Sequence, residues 1–538
     1  MGLFSRNGRR ASARRLRFSA KTCQQQLEWL ETRTLLAAFT VTTDQDIIAP
    51  DDNLLSLREV VAEVNASSDA TNTIQFDASL TGQTISLTQG TLQLFKNATF
   101  VGPGAASLTI QRSTAEGTPL FGIFYVSSSA AVEISGLTIA NGRTQNWWEY
   151  SGGIYNLGTL TVSDSILKDN SSNYYGGAIF NSGTLSVSDS TFSRNSAPDG
   201  GAIFNLGPLT VSHSTFDDNS ATTSGGAIWS ATDMTISNSI LSNNTAHAGV
   251  GGAILNYSGT MHVTSSTFSG NSASHGGAII NRSQGTLNVS NSTLSHNSVA
   301  GGGGGAIFSD GTVTVSDSII KDNSSDYYGG GIASGGPLTI SNSTVSRNSA
   351  LRGGGIDSGG PLIVSYSTFE DNSAVWYGSA LLNSGPLTVS HSTFAGNSGT
   401  AAITNGFTGT VTVSHSTFSG NSSPGYGAGI LHYGGLLLVS HSTLSGNSGG
   451  AGILNYSTLT ISDSTLSGNS ASGIVSYGPL TVSDSAFSGN TASVGGGIYS
   501  VGPLTVSHST LSGNSATHGG GGIYSRGPLT VSNSTLSG

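Results

Sequence analysis

The stretch "GGAIFNLGPLTVSHSTFDDNSA" occupies Gly200–Ala221, and "GGGIYSVGPLTVSHSTLSGNSA", almost the same sentence, occupies Gly495–Ala516. Variants of it fill most of the chain. In the first copy Ile203, Leu209, Val211 and Phe216 are apolar where most other copies are apolar. Between them lie Gly, Ser, Thr and Asn, which suit turns and strands better than helices. A stretch that buries so few side chains cannot form a core alone. Repeated and stacked, it buries them against its own copies.

Aligning the copies on the Asn of "STFSGN" gives the column Asn170, Asn195, Asn219, Asn244, Asn271, Asn297, Asn323, Asn348, Asn372, Asn397, Asn421, Asn447, Asn469, Asn490 and Asn514, spaced by 21 to 27 residues. That period marks a solenoid. The pattern predicts three short strands per coil. In "GGAIF" the Ile faces in (Ile154, Ile179, Ile203, Ile228, through Ile523). The next position holds Tyr155, Phe180, Trp229, Ala333, Asp357 or Thr404 and is read as facing water. In "PLTV" Leu209 and Val211 face in and Thr210 faces out; in "STFS" Phe216 faces in. Val211 and Phe216 are five apart, so alternation breaks and the chain bends near Ser212–His213. Parallel stacking with right-handed crossovers then gives the fold class: all-β, a right-handed parallel β-helix of about 25 residues per coil. The Asn column is read as a stacked amide ladder at a tight turn, because each buried amide can satisfy the next.

Composition agrees. Charged residues are 9% of the 538 residues and Gly numbers 76, far from an ordinary globular domain. The net charge of −10 is uneven. Arg6, Arg9, Arg10, Arg14, Arg15, Arg17, Lys21 and Arg33 crowd the start, and the body is acidic. An acidic body lacks the electrostatic footprint of nucleic-acid binding. One cysteine, Cys23, leaves the body without disulfides or thiolate metal sites. No apolar run reaches the length of a membrane helix.

The start divides into a basic export leader (1–38), an N-terminal cap (39–73) and irregular opening coils (74–151), before regular repeats (152–538). In the cap, Leu57, Val60, Val61 and Val64 fall on one helix stripe, with Ser56 and Glu59 as a capping box. The open end of a β-helix exposes core and strand edge, and this helix is expected to cover it. "VSNSTLSG" stops one residue short of the next Asn, so the sequence reads as ending inside a repeat. A bare coil there would invite end-to-end association.

Three resemblances extend this reading. Leu27, Glu28, Leu30, Glu31, Arg33, Leu35, Leu36 and Ala37 resemble the LExLExRxLLA leader of large bacterial surface and secreted proteins, which implies export. "DDNLLSLREVVAEVN" with "NTIQFD" resembles the CSLREA domain that precedes bacterial β-helices; Leu55 and Val60 stand where that motif has Cys and Ala. "GGAI" with "FxxN" over 152–538, preceded by "LTIANG", is similar to the polymorphic outer-membrane protein repeat. That likeness implies an extracellular, adhesin-like or structural element at the cell surface.

Candidate chemistry is sparse. Paired aromatics precede the "GG" of several coils: Trp147, Trp148 and Tyr150; Tyr174 and Tyr175; Tyr327 and Tyr328; Trp376 and Tyr377. Exposed rings stack on sugars and anchor interfaces. They are the candidate sites for an extracellular glycan or a surface protein, with packing onto the coil flank as the alternative. A corner column places His391, His415 and His441 on successive coils, followed by Asp463 and Asp484. Metal binding and a glycosidase carboxylate pair are the sharper readings there, and a solvated corner is the favoured one. The outward Thr and Ser columns from Thr191 and Ser193 to Thr510 and Ser512 raise ice binding as a minor alternative. No cofactor and no catalytic residue is called for; a polysaccharide lyase or glycoside hydrolase on the same scaffold is the rival function.

Overall fold

The computed structural model describes residues 37–49, 53–145, 150–406 and 409–538; the basic leader lies almost wholly outside them. The described chain is a parallel β-solenoid of about 18 turns. In the coil of the opening quotation, strands run Ile203–Asn205, Leu209–Ser212, Thr215–Asp217 and Ser220–Ser224. Each pairs in parallel with its counterpart one coil before and one coil after; Ile203–Asn205, for example, lies between Ile179–Asn181 and Ile228–Ser230. The first three strands are those the repeat predicts. The fourth, over the "NSA" segment, forms a ten-stranded ladder between Arg143 and Tyr377.

The corners follow from backbone sterics. His213 and its equivalents from Asp164 to Asn533 all have φ between 47° and 51°. Asn, Asp and His tolerate this left-handed region best among residues with a Cβ, which explains why they dominate the column. The double glycine is demanded twice over. Gly200 has φ 63°, and a Cβ on Gly201 would lie 2.1 Å from the Gly226 carbonyl oxygen of the next coil.

Inside the coils one continuous apolar core runs from Val41 to Leu511. Buried phenylalanines stack between coils, as in Phe369, Phe394 and Phe418 with centroids 4.8 Å apart. Polar ladders line the turns. Each interior Asn of the repeat column donates from Nδ2 to the Oδ1 of the next Asn and to a main-chain carbonyl behind it; its own Oδ1 accepts from the Nδ2 and main-chain N–H of the Asn before it. For Asn323 these bonds measure 2.9–3.0 Å. A second ladder runs through Asn156, Asn181, Asn205 and Ser230, with bonds of 2.6–3.0 Å. A third is made by serines, such as Ser190 N–H to Ser214 Oγ at 3.2 Å. Position 432 of the second ladder is a buried His whose burial holds its pKa down, so it serves as a neutral member.

One reading of the repeat needs correction. The position after the inward Ile lies outside the coil but is largely covered: Phe180, Phe204, Leu255, Ile280, Leu382 and Leu431 are all buried. Segments preceding the double glycine fold back over this column, so it forms a covered apolar groove instead of a wet face.

Helix α1 (Leu57–Ala66) buries Leu57, Val60, Val61 and Val64, with the Ser56–Glu59 capping box closed. It packs on Ala37–Val41 and Leu92–Leu94 at the start of the core. A buried latch ties it down. Arg58 Nε and Nη2 donate to Asp46 Oδ1 and Oδ2 at 2.7 and 3.1 Å, and the Thr88 and Gln89 amides donate to Asp46 Oδ2 at 2.6 and 3.0 Å. Burial pulls the Asp46 pKa up, but Arg58 and these amides outweigh it and leave the carboxyl below its usual range. A depressed carboxylate contributes stability above its unfolded pKa and loses it as pH falls through the folded one, here below about pH 4. Arg58→Ala is expected to destabilise the cap by about 1.5–3 kcal/mol. Hydrogen exchange of residues 57–66 reads this directly: protection should fall in the variant, and in the wild type on acidification.

Candidate cleft at the Arg352 to Tyr433 coils

The covered groove opens over a few coils, for reasons visible residue by residue. Its floor is the column Ala333, Asp357, Leu382, Thr404, Leu431, in register on successive strands. One wall is the rung column Tyr328, Arg352, Tyr377. The other wall holds Gly335, Gly359, Ser384, Gly406 and Tyr433, each two residues beyond its floor residue. Between Asn383 and Asn405 the coil shortens to 22 residues, against 25 from Ser358 to Asn383. The segment lost is the one that carries Trp376 and Tyr377 a coil earlier. The first wall therefore stops after Tyr377, and Gly406 leaves the second wall low.

The result is a cleft of about 490 Å³ lined by Arg352, Tyr377, Leu382, Ser384, Thr404, Gly406 and Tyr433. Tyr433 leans across the Gly406 coil toward Tyr377, ring centroids 6.4 Å apart and edge to face. From Tyr433 the rings of Tyr456 and Tyr477 continue in parallel at 5.4 and 5.0 Å. Burial, then the Tyr377, Tyr456 and Tyr426 hydroxyls, push Tyr433 up to about 12, so its phenol stays a neutral hydrogen-bonding group. Arg352 lies over the Tyr328 ring, 5.4 Å from its centroid. At the near end of the floor, the Asp357 carboxylate faces Arg352 at 3.8 Å without a hydrogen bond. Burial, opposed by Arg352, lifts Asp357 to about 6.

The aromatic candidates separate by position. Trp147 and Trp148 lie outside the described residues. Tyr150 stacks on Phe180 at 4.8 Å and Tyr175 packs on Phe204 at 4.5 Å, both covering the groove. Tyr174 borders a shallow hollow with Ser172, Pro198 and Thr222. Tyr327, Tyr328, Trp376 and Tyr377 are exposed, and of these Tyr377 lines the cleft. Arg352, Asp357, Thr404 and Tyr433 were not singled out in the sequence. The signals that point to them are one charged residue in an otherwise uncharged floor column, glycines opposite it, and one short coil.

The corner candidates also have definite geometry. Tyr366, His391, His415 and His441 stack face to face, each 4.7 Å from the next. Parallel rings point their nitrogens side by side instead of toward a common centre, and among the described residues no group of three or more His, Cys, Asp or Glu is arranged to hold a metal. Asp463 and Asp484 follow on the same exposed corner. The Thr column is interrupted by Ile240, Ile319 and Ala486 in register with it.

The "right handed beta helix region" family matches this sequence over residues 79–241, 121–294, 209–337, 251–418 and 408–536, which together span nearly all of the coils. The chain belongs to the right-handed β-helix family. No curated protein matches this β-helix in sequence. Among solved structures it is similar to the PL6-family alginate lyase AlyGC (10% identity, 93% of this chain and 100% of that one, TM-score 0.26). It is also similar to the tailspike protein of E. coli bacteriophage HK620, solved with a pentasaccharide (12% identity, 90% and 76%, TM-score 0.24). Likenesses at these scores carry no argument about its activity. Among the described residues no helix is long and apolar enough to cross a membrane.

Proposed function

We propose that this β-helix is an exported surface or secreted element, adhesin-like or structural, that binds glycans in the Tyr377–Tyr433 cleft. The observation that carries the reading is the cleft itself. Its volume is that of a small-ligand site, two aromatic rings flank it, and a charged pair stands at its end. Aromatic faces take the apolar faces of sugar rings, while nearby polar groups take hydroxyls. The coil rise of about 4.8 Å is comparable to the length of one pyranose, so a chain laid along the axis advances about one sugar per coil. Export is supported by the basic start and its leader-like motif.

Binding of the full chain to a glycan array tests this, with turnover of the same polysaccharides assayed alongside. Tyr377→Ala and Tyr433→Ala are each expected to weaken saturable binding by at least about tenfold, as loss of an aromatic anchor does. Unchanged binding in both would remove the cleft from the account. A second reading, a carbohydrate-active enzyme, draws on Asp357, whose raised pKa suits a general acid. Cleavage that disappears in Asp357→Asn would establish it.

A further inference from the structure

Two groups with unmet needs stand at the end of the cleft. Asp357 Oδ2 and Arg352 Nε are both shielded from solvent and have no hydrogen-bond partner among the described residues, and they stand 3.8 Å apart. That is too long for a hydrogen bond. Two exposed arginines close fully on their carboxylates, Arg194 on Asp169 at 2.8 and 2.9 Å and Arg347 on Asp322 at 2.7 and 3.0 Å, whereas Arg282 stands 4.0 Å from Asp310. A buried donor and a buried acceptor left unpaired each cost about 1–3 kcal/mol. Every nearby coil avoids that cost by placing an uncharged residue at the Asp357 position.

The two atoms are too close for an oxygen to lie in line between them, so a bridging oxygen sits to one side of the pair. An oxygen about 2.8 Å from each group could accept from Arg352 Nε–H and donate to Asp357 Oδ2. A hydroxyl does both at once; an ammonium cannot accept, and a carboxylate cannot donate and is repelled by Asp357. As the structure stands neither atom is reachable by a water-sized probe, so a bridging hydroxyl requires the Arg352 side chain, itself partly exposed, to swing aside. Gly359, two residues after Asp357, and Gly335 one coil earlier have ordinary backbone angles. A Cβ on either would meet nothing nearer than 3.5 Å. Folding does not require glycine at these places; the missing side chains keep the wall low beside the pair.

We infer that Arg352 and Asp357 form a hydroxyl-recognition site that selects neutral glycans, holding one sugar hydroxyl between them while Tyr377 and Tyr433 hold the rings. This rests on the glycan-binding reading and adds a ligand class and a proton dependence to it. The charged group facing Asp357 is Arg352 of its own coil; the coils on either side contribute Ala333 with Tyr328 and Leu382 with Tyr377. Ionised Asp357 accepts the hydroxyl in a charge-assisted bond, stronger than the one its neutral form makes. Binding a neutral sugar therefore lowers the Asp357 pKa, and affinity falls as pH drops through about 6. A uronate would raise that pKa instead, and its binding would strengthen on acidification.

Calorimetric titration of the full chain decides this. The probes are neutral hexamers of glucose, mannose and galactose and the hexamer of galacturonate, at pH values on either side of the Asp357 pKa of about 6. The wild type should bind a neutral hexamer, losing up to about tenfold in affinity per pH unit on the acid side. Asp357→Asn should bind it with an affinity that no longer changes across that range. Asp357→Leu, which restores an apolar floor residue like Leu382 and keeps a folded variant in hand, should lose neutral-sugar binding. Tyr377→Ala should weaken binding at every pH. Glycan binding that depends on Tyr377 but is indifferent to Asp357, or that favours galacturonate and tightens on acidification, overturns the hydroxyl site and leaves the cleft standing. Binding of none of the probes, with none on the array, overturns both.

Discussion

Asn323→Ala should destabilise the middle of the solenoid by at least about 3 kcal/mol, because each buried polar group left unpaired costs about 1–3 kcal/mol. Asn323 sits at the centre of the repeat-column ladder. Its Oδ1 accepts from both the main-chain N–H and the Nδ2 of Asn297, and its Nδ2 donates to Asn348 Oδ1 and to the Leu294 carbonyl. Truncation leaves the Asn297 amide, one Asn297 Nδ2 hydrogen and the bond to Leu294 without their partner. All three ladder asparagines are essentially inaccessible to water. The loss should be local, since each coil touches only its neighbours. Hydrogen exchange should rise over coils 297–348 and stay near wild type beyond Asn397. Exchange unchanged across the ladder would show that the amide stack is incidental to stability.

Phe394→Ala is expected to cost about 3–5 kcal/mol, the range for deleting a buried aromatic. The ring is fully buried between Phe369 and Phe418, parallel to both within 9°. Strands that hydrogen-bond to fixed neighbours on both sides cannot collapse into the space, so little of the cavity term is recovered. Phe394→Leu should cost much less, because Leu already fills this column at Leu241, Leu294 and Leu444. Denaturant unfolding of the two variants against wild type gives the comparison. Equal losses for Ala and Leu would mean that ring stacking, not filled volume, holds the core.

What the sequence revealed followed from regularity. The Asn column was legible because its residue type and spacing hardly vary, and helix α1 because Ser56, Glu59 and four apolar residues obey one period. The second ladder was hidden because Asn, Ser and His432 share one position, and no single letter marks it. The groove was misread for a related reason. A position that accepts Phe, Asp and Thr looks solvated in a list, yet Tyr150 and Tyr175, from a different part of the coil, lie across it. The cleft depends on juxtaposition more than on composition. Arg352, Asp357, Tyr377, Thr404 and Tyr433 lie as much as 81 residues apart in sequence and meet because a short coil and several glycines remove what covers the groove elsewhere.

The most direct test of the account is a crystal structure of the chain soaked with whichever neutral oligosaccharide binds most tightly. The account predicts sugar density against Tyr377 and Tyr433 above Thr404, with one hydroxyl bridging Arg352 Nε and Asp357 Oδ2. Sugar bound at another place on the β-helix, with this cleft empty, would contradict it.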